Sequence, residues 1–211
     1  MARLASQLRR PTGMAGLLIA RMLNRGNRPA IAGAVAAAEV AKGDTVADVG
    51  FGGGLGLELL LRRVGDGGTV HGVDVSTTML ERARRRLRGP IAAGDLVLHH
   101  AGMGSLPLPD ACADAIITTN TVYFVDDLAG ALTELARVLR PAGRLVLGVG
   151  DPAAMAKAPV AAHGFRLRSI AEIITVIGDV GLDLVEDRRV GDSPRAYHLL
   201  VCRRAHSGRT S

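Results

Sequence analysis

The sequence predicts an α/β chain folded as a doubly wound, mostly parallel seven-stranded sheet with an antiparallel C-terminal strand. Three observations predict it. Short apolar runs alternate with segments of helical periodicity from Thr45 onwards. One of these runs, ending at Val49, passes through a crowded glycine turn straight into a helical pattern. The chain then closes on two alternating runs, Leu182 to Arg189 and Ala196 to Cys202, joined by the turn Gly191-Asp192-Ser193-Pro194; so short a turn makes them antiparallel to each other.

Ala15, Leu18, Ile19, Met22 and Leu23 recur at the spacing of one helix face. Pro29 suits the first turn of a second helix, which runs through an Ala-rich stretch to about Val40. Residues 1–44 are therefore expected to form an N-terminal helical cap over the active site. Thr45 to Val49 is the first strand, and the helix after the glycines ends by Val64, before the loop Gly65-Asp66-Gly67-Gly68. Thr69 to Asp74 is the second strand; Ser76 caps a helix whose inner side is Met79, Leu80, Ala83 and Leu87. Leu96 to His99 and Ala113 to Thr118 are the third and fourth strands. Val125, Leu128, Leu132, Leu135, Ala136 and Leu139 mark a helix that Pro141 and Gly143 end, and Arg144 to Val149 is the fifth strand. Asp151 to Arg168 has little periodicity and reads as a loop or lid. Ser169-Ile170-Ala171-Glu172 is a capping box that opens the last helix, which stops near Gly178 to Gly181. Residues 204–211 read as a disordered tail.

Composition narrows the function. With 211 residues and 48% hydrophobic content, the chain can bury one full core. Aromatics make up 2% and Trp is absent, which leaves no stacking platform for single-stranded nucleic acid. Cys112 and Cys202 stand far apart and form no metal-binding or disulfide framework. His99 and His100 are adjacent on a strand and would point to opposite faces, so no metal is expected. No apolar run reaches the length of a membrane span, so no stable membrane insertion and a cytoplasmic location are expected. The first 38 residues carry six arginines and no acid, a composition shared by lids, interfacial helices and targeting segments.

The stretch Val46-Ala47-Asp48-Val49-Gly50-Phe51-Gly52-Gly53-Gly54-Leu55-Gly56 carries the chemistry. Glycine takes positive φ and lets a ligand approach the main chain closely. A helix N-terminus beyond it offers unpaired N–H groups. A Walker A loop needs Gly-Lys-Ser/Thr, which occurs nowhere in the chain. The dinucleotide pattern G-x-G-x-x-G meets leucine at its sixth position in every register, at Leu55, Leu57 and Leu59. The pattern that fits is Asp-x-Gly-x-Gly-x-Gly on Asp48, Gly50, Gly52 and Gly54. A second acid, Asp74, ends the second strand, where a doubly wound fold places the carboxylate that accepts from a ribose diol.

These residues resemble the class I S-adenosylmethionine (SAM)-dependent methyltransferases. Asp48 to Gly54 is similar to the family's motif I and Gly72-Val73-Asp74-Val75-Ser76 to its motif II. Leu106-Pro107-Leu108-Pro109-Asp110 with Asp114 resembles an L-P-F-x-D-x-x-F-D stretch, and Leu135 to Arg144 resembles L-x-R-V-L-K-P-G-G. Leu23 to Pro29 resembles an N-R-G-H-R-P segment of some bacterial members, so the likeness runs from residue 23 to 203. It implies a Rossmann-like methyltransferase domain over 45–203, SAM as cofactor and S-adenosylhomocysteine (SAH) as product. It also implies cofactor contacts from Asp48, Gly50, Phe51, Gly52, Gly54, Asp74, Val75, Met79, Gly102, Met103 and Asn120. The sequence departs from the family at Gly102, where an acid usually holds the adenine amino group; a backbone N–H near Met103 then takes that part. Where many small-molecule members carry His, this chain has Tyr123 and Phe124.

Asp151, Tyr123 and His163 are the candidates for a general base, which methyl transfer needs only for poorly acidic or protonated acceptors. The leading reading is transfer of a methyl group to O, N or C of a small organic molecule by a monomer or homodimer. A second reading makes the acceptor RNA or DNA, on the strength of the arginine cluster Arg82, Arg84, Arg85, Arg86 and Arg88. The loop after the fourth strand, Thr119-Asn120-Thr121-Val122-Tyr123, lacks the prolines of base N-methylating enzymes. A third reading, a non-catalytic SAM-binding protein, rests on Gly102 alone.

Overall fold

The structure, a computed structural model, describes residues 26–156, 166–191 and 196–205. Helix α1 covers 26–37. It is followed by β1 (Thr45–Val49), α2 (Leu55–Val64), β2 (Thr69–Asp74), α3 (Thr77–Arg86), α4 (Arg88–Ala93) and β3 (Leu96–His100). The second half runs β4 (Ala113–Thr119), a 3-10 turn (Val122–Phe124), α5 (Leu128–Val138), β5 (Leu139–Gly150), α6 (Pro152–Ala156), α7 (Ile170–Asp179), β6 (Leu182–Val190) and β7 (Tyr197–Arg204).

The strands form one seven-stranded sheet in the order β3-β2-β1-β4-β5-β7-β6. Strands β1 to β5 are parallel, and β7 runs antiparallel to both neighbours. Strands buried on both faces read as near-continuous apolar runs, and here alternate residues serve two cores. Ala47, Val49, Leu145 and Leu147 face α5 and α7, against Leu132, Leu135 and Ile173. Val46, Val146, Leu199 and Val201 face α1, α2 and α3, against Ala34, Leu57 and Leu80. The strand order reverses between β1 and β4, which opens a crevice at their carboxyl ends.

Ser76 and Ser169 cap α3 and α7 as expected from sequence, Ser169 in a full capping box with Glu172. Three elements differ from expectation. Helix α5 starts at Leu128 rather than Val125, because Asp127 accepts from the Gly130 N–H and the turn before it is 3-10. Strand β5 starts at Leu139 rather than Arg144, since Leu139 pairs with Ala113 ahead of a register shift. Residues 152–156, expected to be loop, form the short helix α6.

Within residues 26–38 of the expected cap, one face packs into the core. Ala30, Ala34, Val35, Ala37 and Ala38 are buried, and the Gly33 site lies against Leu199 and Val190. The helix expected around Ala15 to Leu23, His163 and the tail beyond residue 205 lie outside the described residues. Among the described residues no helix is long and apolar enough to cross a membrane.

Candidate functional site

The glycine turn leaves β1 at the switch point. Gly50, Gly52 and Gly54 take φ of 76°, 50° and 80°, a region costly for other residues. The turn folds back onto the end of β2. Gly50 N–H donates to Val73 O at 2.7 Å, Phe51 N–H to the same oxygen at 3.4 Å, and Gly54 N–H to Phe51 O at 2.9 Å. Gly52 N–H donates to Asp74 Oδ2 at 2.8 Å, and Ser76 N–H to Asp74 Oδ1 at 2.8 Å. These donors, which a phosphate-cradling loop would aim at its ligand, are already spent inside the protein. Two acids, Asp48 and Asp74, lie buried beside the turn.

Asp48 is 5% exposed and Asp74 7%. Asp48 lies beneath the first turn of α2: a Cβ on Gly56 would overlap Asp48 Oδ2 and come within 3.0 Å of its Cγ. Burial and the nearby Asp74 push the Asp48 carboxyl up to about 8. Burial also raises Asp74, opposed by its bonds from Ser76 and Gly52 and by His100. Asp74 accepts from the backbone N–H groups of Gly52, Ser76 and Val75, and a carboxylate offers about four acceptor sites in all. Two buried carboxylates at one sheet corner favour a ligand that carries positive charge.

Across the crevice, β4 ends in a strained turn. Asn120 takes φ of 60°, and its N–H donates to Gly148 O at 2.8 Å. Thr121 closes on the glycine turn, so that a Cβ on Gly50 would overlap Thr121 Cγ2. Thr118 and Thr121 hydroxyls bond each other. Arg168 fixes the turn from outside, donating to the carbonyls of Val122 at 3.1 Å, Val125 at 2.9 Å and Asp126 at 3.0 Å.

Of the residues expected to contact the cofactor, the structure brings Asp48, Gly50, Gly52, Gly54 and Asp74 together at one corner. Val75 lies beside them with 41% exposure, and a Cβ on Gly102 would meet its Cγ1 at 3.8 Å. Asn120 is half-buried across the crevice. Phe51, Met79 and Met103 are 5%, 1% and 8% exposed and pack in the two cores, which leaves a ligand little side-chain surface to touch. Tyr123 is 2% exposed; its hydroxyl donates to Gly150 O at 3.2 Å and accepts from Gly150 N–H. Burial raises its pKa, and its two bonds tie the hydroxyl to the end of β5. Asp151 is half-buried, its Oδ2 3.9 Å from Arg189 Nη2. Sequence reading missed Thr121, Arg168 and Arg137; arginines that hold backbone carbonyls leave no spacing signature.

The arginine cluster stands elsewhere. Helices α2 and α3 return antiparallel to the strands they join, so Arg62, Arg63, Arg84, Arg85 and Arg86 in their last turns lie at the far end of the sheet from Asp48 and Asp74. Ten residues of helix separate those ends by roughly 15 Å. On the β2–β3 face, His71 and His99 bond each other at 3.1 Å, and His100 bonds Val75 O at 3.0 Å. Among the described residues no group of three or more His, Cys, Asp or Glu could hold a metal.

Residues 47–147 match the methyltransferase domain family, and this span contains both acids and the glycine turn. Over that span, just under half of the chain, it is similar to a methyltransferase domain. It is 36% identical over 108 residues to a demethylmenaquinone methyltransferase of Tropheryma whipplei, covering 51% of this chain and 42% of that protein. It is 40% identical over 109 residues to an uncharacterised 37.1 kDa protein of transposon TN4556 in Streptomyces fradiae, covering 52% of this chain and 31% of that one. The chain thus spans less than half the length of these curated relatives. In fold it matches a SAM-dependent methyltransferase of Aquifex aeolicus with a TM-score of 0.73 at 22% identity, over 88% of this chain and 97% of that one. SAM is the cofactor of the family. The acid pair fits it, since SAM carries a sulfonium and an ammonium where a nucleoside phosphate carries anions.

Proposed function

We propose that this chain is a SAM-dependent methyltransferase acting on a small organic molecule at O, N or C. One observation carries the cofactor half of that reading: the glycine turn spends its N–H groups on Val73, Phe51 and Asp74 and sits beside the buried carboxylates of Asp48 and Asp74. Bound there, SAM supplies a methyl group already activated by its sulfonium. The protein's part is then positioning and exclusion of water. Asp74 accepts from the ribose hydroxyls, and Asp48 balances the positive charge of the methionine end. Asn120 and Thr121 form the wall across which the acceptor approaches, and Asp151 and His163 are the candidates to take a proton where the acceptor must lose one.

The small-molecule half is supported by the relative from Tropheryma whipplei, whose substrate by name is a demethylated menaquinone. The far-end position of the arginines argues against a nucleic-acid acceptor, because a strand held there lies a helix length from the methyl group. Calorimetry with SAM and SAH tests the reading: saturable one-site binding is expected, and no binding of either refutes it. Methyl transfer to any member of a panel of phenols, amines and quinols then tests the acceptor class.

A further inference from the structure

We propose that Arg137 is a positioning residue for the cofactor crevice, acting through the segment that connects β3 to β4. The proposal rests on the SAM reading above. That segment, residues 101–112, has no helix or strand of its own, yet it forms one margin of the site. It leaves β3 beside the acid, with Ala101 N–H on Asp74 O at 3.3 Å and Gly102 against Val75. Its apolar residues Met103, Leu106 and Leu108 pack into the core below.

A backbone without regular structure must find partners elsewhere, and this one finds them on one turn of α5. Arg137 Nη2 donates to Leu106 O at 3.2 Å and to Leu108 O at 2.9 Å. Its Nη1 donates to Asp110 Oδ1 at 2.5 Å. Glu134 completes the clamp. It accepts from Leu106 N–H at 2.7 Å and from Arg137 Nε at 2.7 Å and Nη2 at 2.8 Å. The planar guanidinium suits this role because it reaches two carbonyls and two carboxylates at once, which an ammonium on a flexible stem cannot do. The two sequence stretches Leu106–Asp110 and Leu135–Arg144 are thus the two halves of one device. Arg140, three residues on, does something different: it pairs with Asp114 at the far end of the sheet.

Hydrogen exchange and SAH calorimetry on the full chain test the proposal with Arg137→Lys, Arg137→Met and, as control, Arg140→Met. In both Arg137 variants the amides of 101–110, Leu106 above all, should exchange at least tenfold faster, with α2 unchanged. The SAH Kd should rise roughly tenfold, of the order expected for lost bonds to a charged group. With an acceptor in hand, the KM for SAM should rise while kcat at saturating SAM stays within about twofold, as for a loss of uniform binding. A merely structural arginine would lower the melting temperature without moving that ratio, and Arg140→Met should behave so. Unchanged Kd in folded Arg137→Lys and Arg137→Met overturns the proposal. If the wild-type chain itself binds no SAH, the SAM reading fails instead, and the exchange data alone report on the clamp.

Discussion

Gly56→Ala is expected to destabilise this protein although it adds a better helix former. Gly56 is the second residue of α2 and does not take positive φ, so alanine is allowed by the backbone. In a helix that exchange usually gains about 0.5–1 kcal/mol. Here the new Cβ overlaps Asp48 Oδ2, lies 3.0 Å from Asp48 Cγ and 3.3 Å from Ile117 Cδ1. Neither neighbour can retreat: Asp48 is 5% exposed and Ile117 1%. Overpacking of this kind costs about 1–3 kcal/mol, so the net loss should be about 1–2 kcal/mol. The cause can be isolated. In an Asp48→Ala background the overlapping atoms are gone, and Gly56→Ala should there become neutral or stabilising by up to about 1 kcal/mol. The assay is urea denaturation of the four proteins of the cycle, with constant m-values required for the comparison. An equal effect of Gly56→Ala in both backgrounds, or a gain in the wild-type background, would refute the assignment of Gly56 to the carboxylate.

Asp74→Ala should weaken SAM binding by roughly 1.5–3 kcal/mol, the worth of hydrogen bonds to a charged group; unchanged affinity by calorimetry would remove Asp74 from the site. Tyr123→Phe should cost about 1–3 kcal/mol of stability, since it removes the buried hydroxyl that bonds both the N–H and the C=O of Gly150, and the phenol should ionise only on unfolding. A phenolate absorbance in the folded protein below the ordinary value of 10.0 would sink that view. Asp48 has a folded pKa of about 8 against an ordinary 3.8, so its contribution to stability is present at acid pH and is lost as pH rises through 8. The difference in unfolding free energy between the SAM-free wild type and Asp48→Asn should therefore change between pH 4 and 8, in favour of the variant at high pH; parallel profiles would show that burial does not perturb Asp48.

Where local signals were strong, the fold was legible. Thr45–Val49 and Thr69–Asp74 match expectation residue for residue, because each is bounded by glycine or an acid and buried on both faces. The acid and glycine constellation was legible for the same reason: its residues are close in sequence and each is chosen by backbone conformation. What was hidden depends on distance. Periodicity ran through Val125 into α5 because a helix cap at Asp127 and a 3-10 turn look alike in an apolar pattern. Pro141 reads as a helix stop, but the chain at that point is already strand, in the stretch where β5 leaves its register with β4. Phe51 and Met79 sit inside motif-like runs, and only the packing shows that their side chains fill the core. The roles of Arg137 and Arg168 lie in carbonyls 29 to 46 residues away, which no local window contains.

Unfavourable local choices concentrate at this one corner, and that concentration is itself informative. Gly50, Gly52, Gly54 and Asn120 all take positive φ there, Asp48 is buried with a neighbouring acid for company, and Gly50 and Gly56 are held to glycine by Thr121 and Asp48. Elsewhere the described chain follows the ordinary rules: apolar strands alternate between two cores, serines cap helices, and no fully buried side-chain polar atom lacks a partner. Two other non-glycine residues with positive φ, Glu39 and Ala111, lie in connections, and Glu39 is tied to Arg144 at 2.5 Å. Among the described residues the buried acids and the crowded glycines gather at the carboxyl ends of β1, β2 and β4, the corner proposed to bind the ligand. A cationic ligand would relieve the cost of burying the acids directly, since it turns the Asp48–Asp74 repulsion into attraction to a charge placed between them. Binding and stability should therefore be coupled through Asp48, so that the increase in melting temperature on adding SAM is larger at pH 8 than at pH 5.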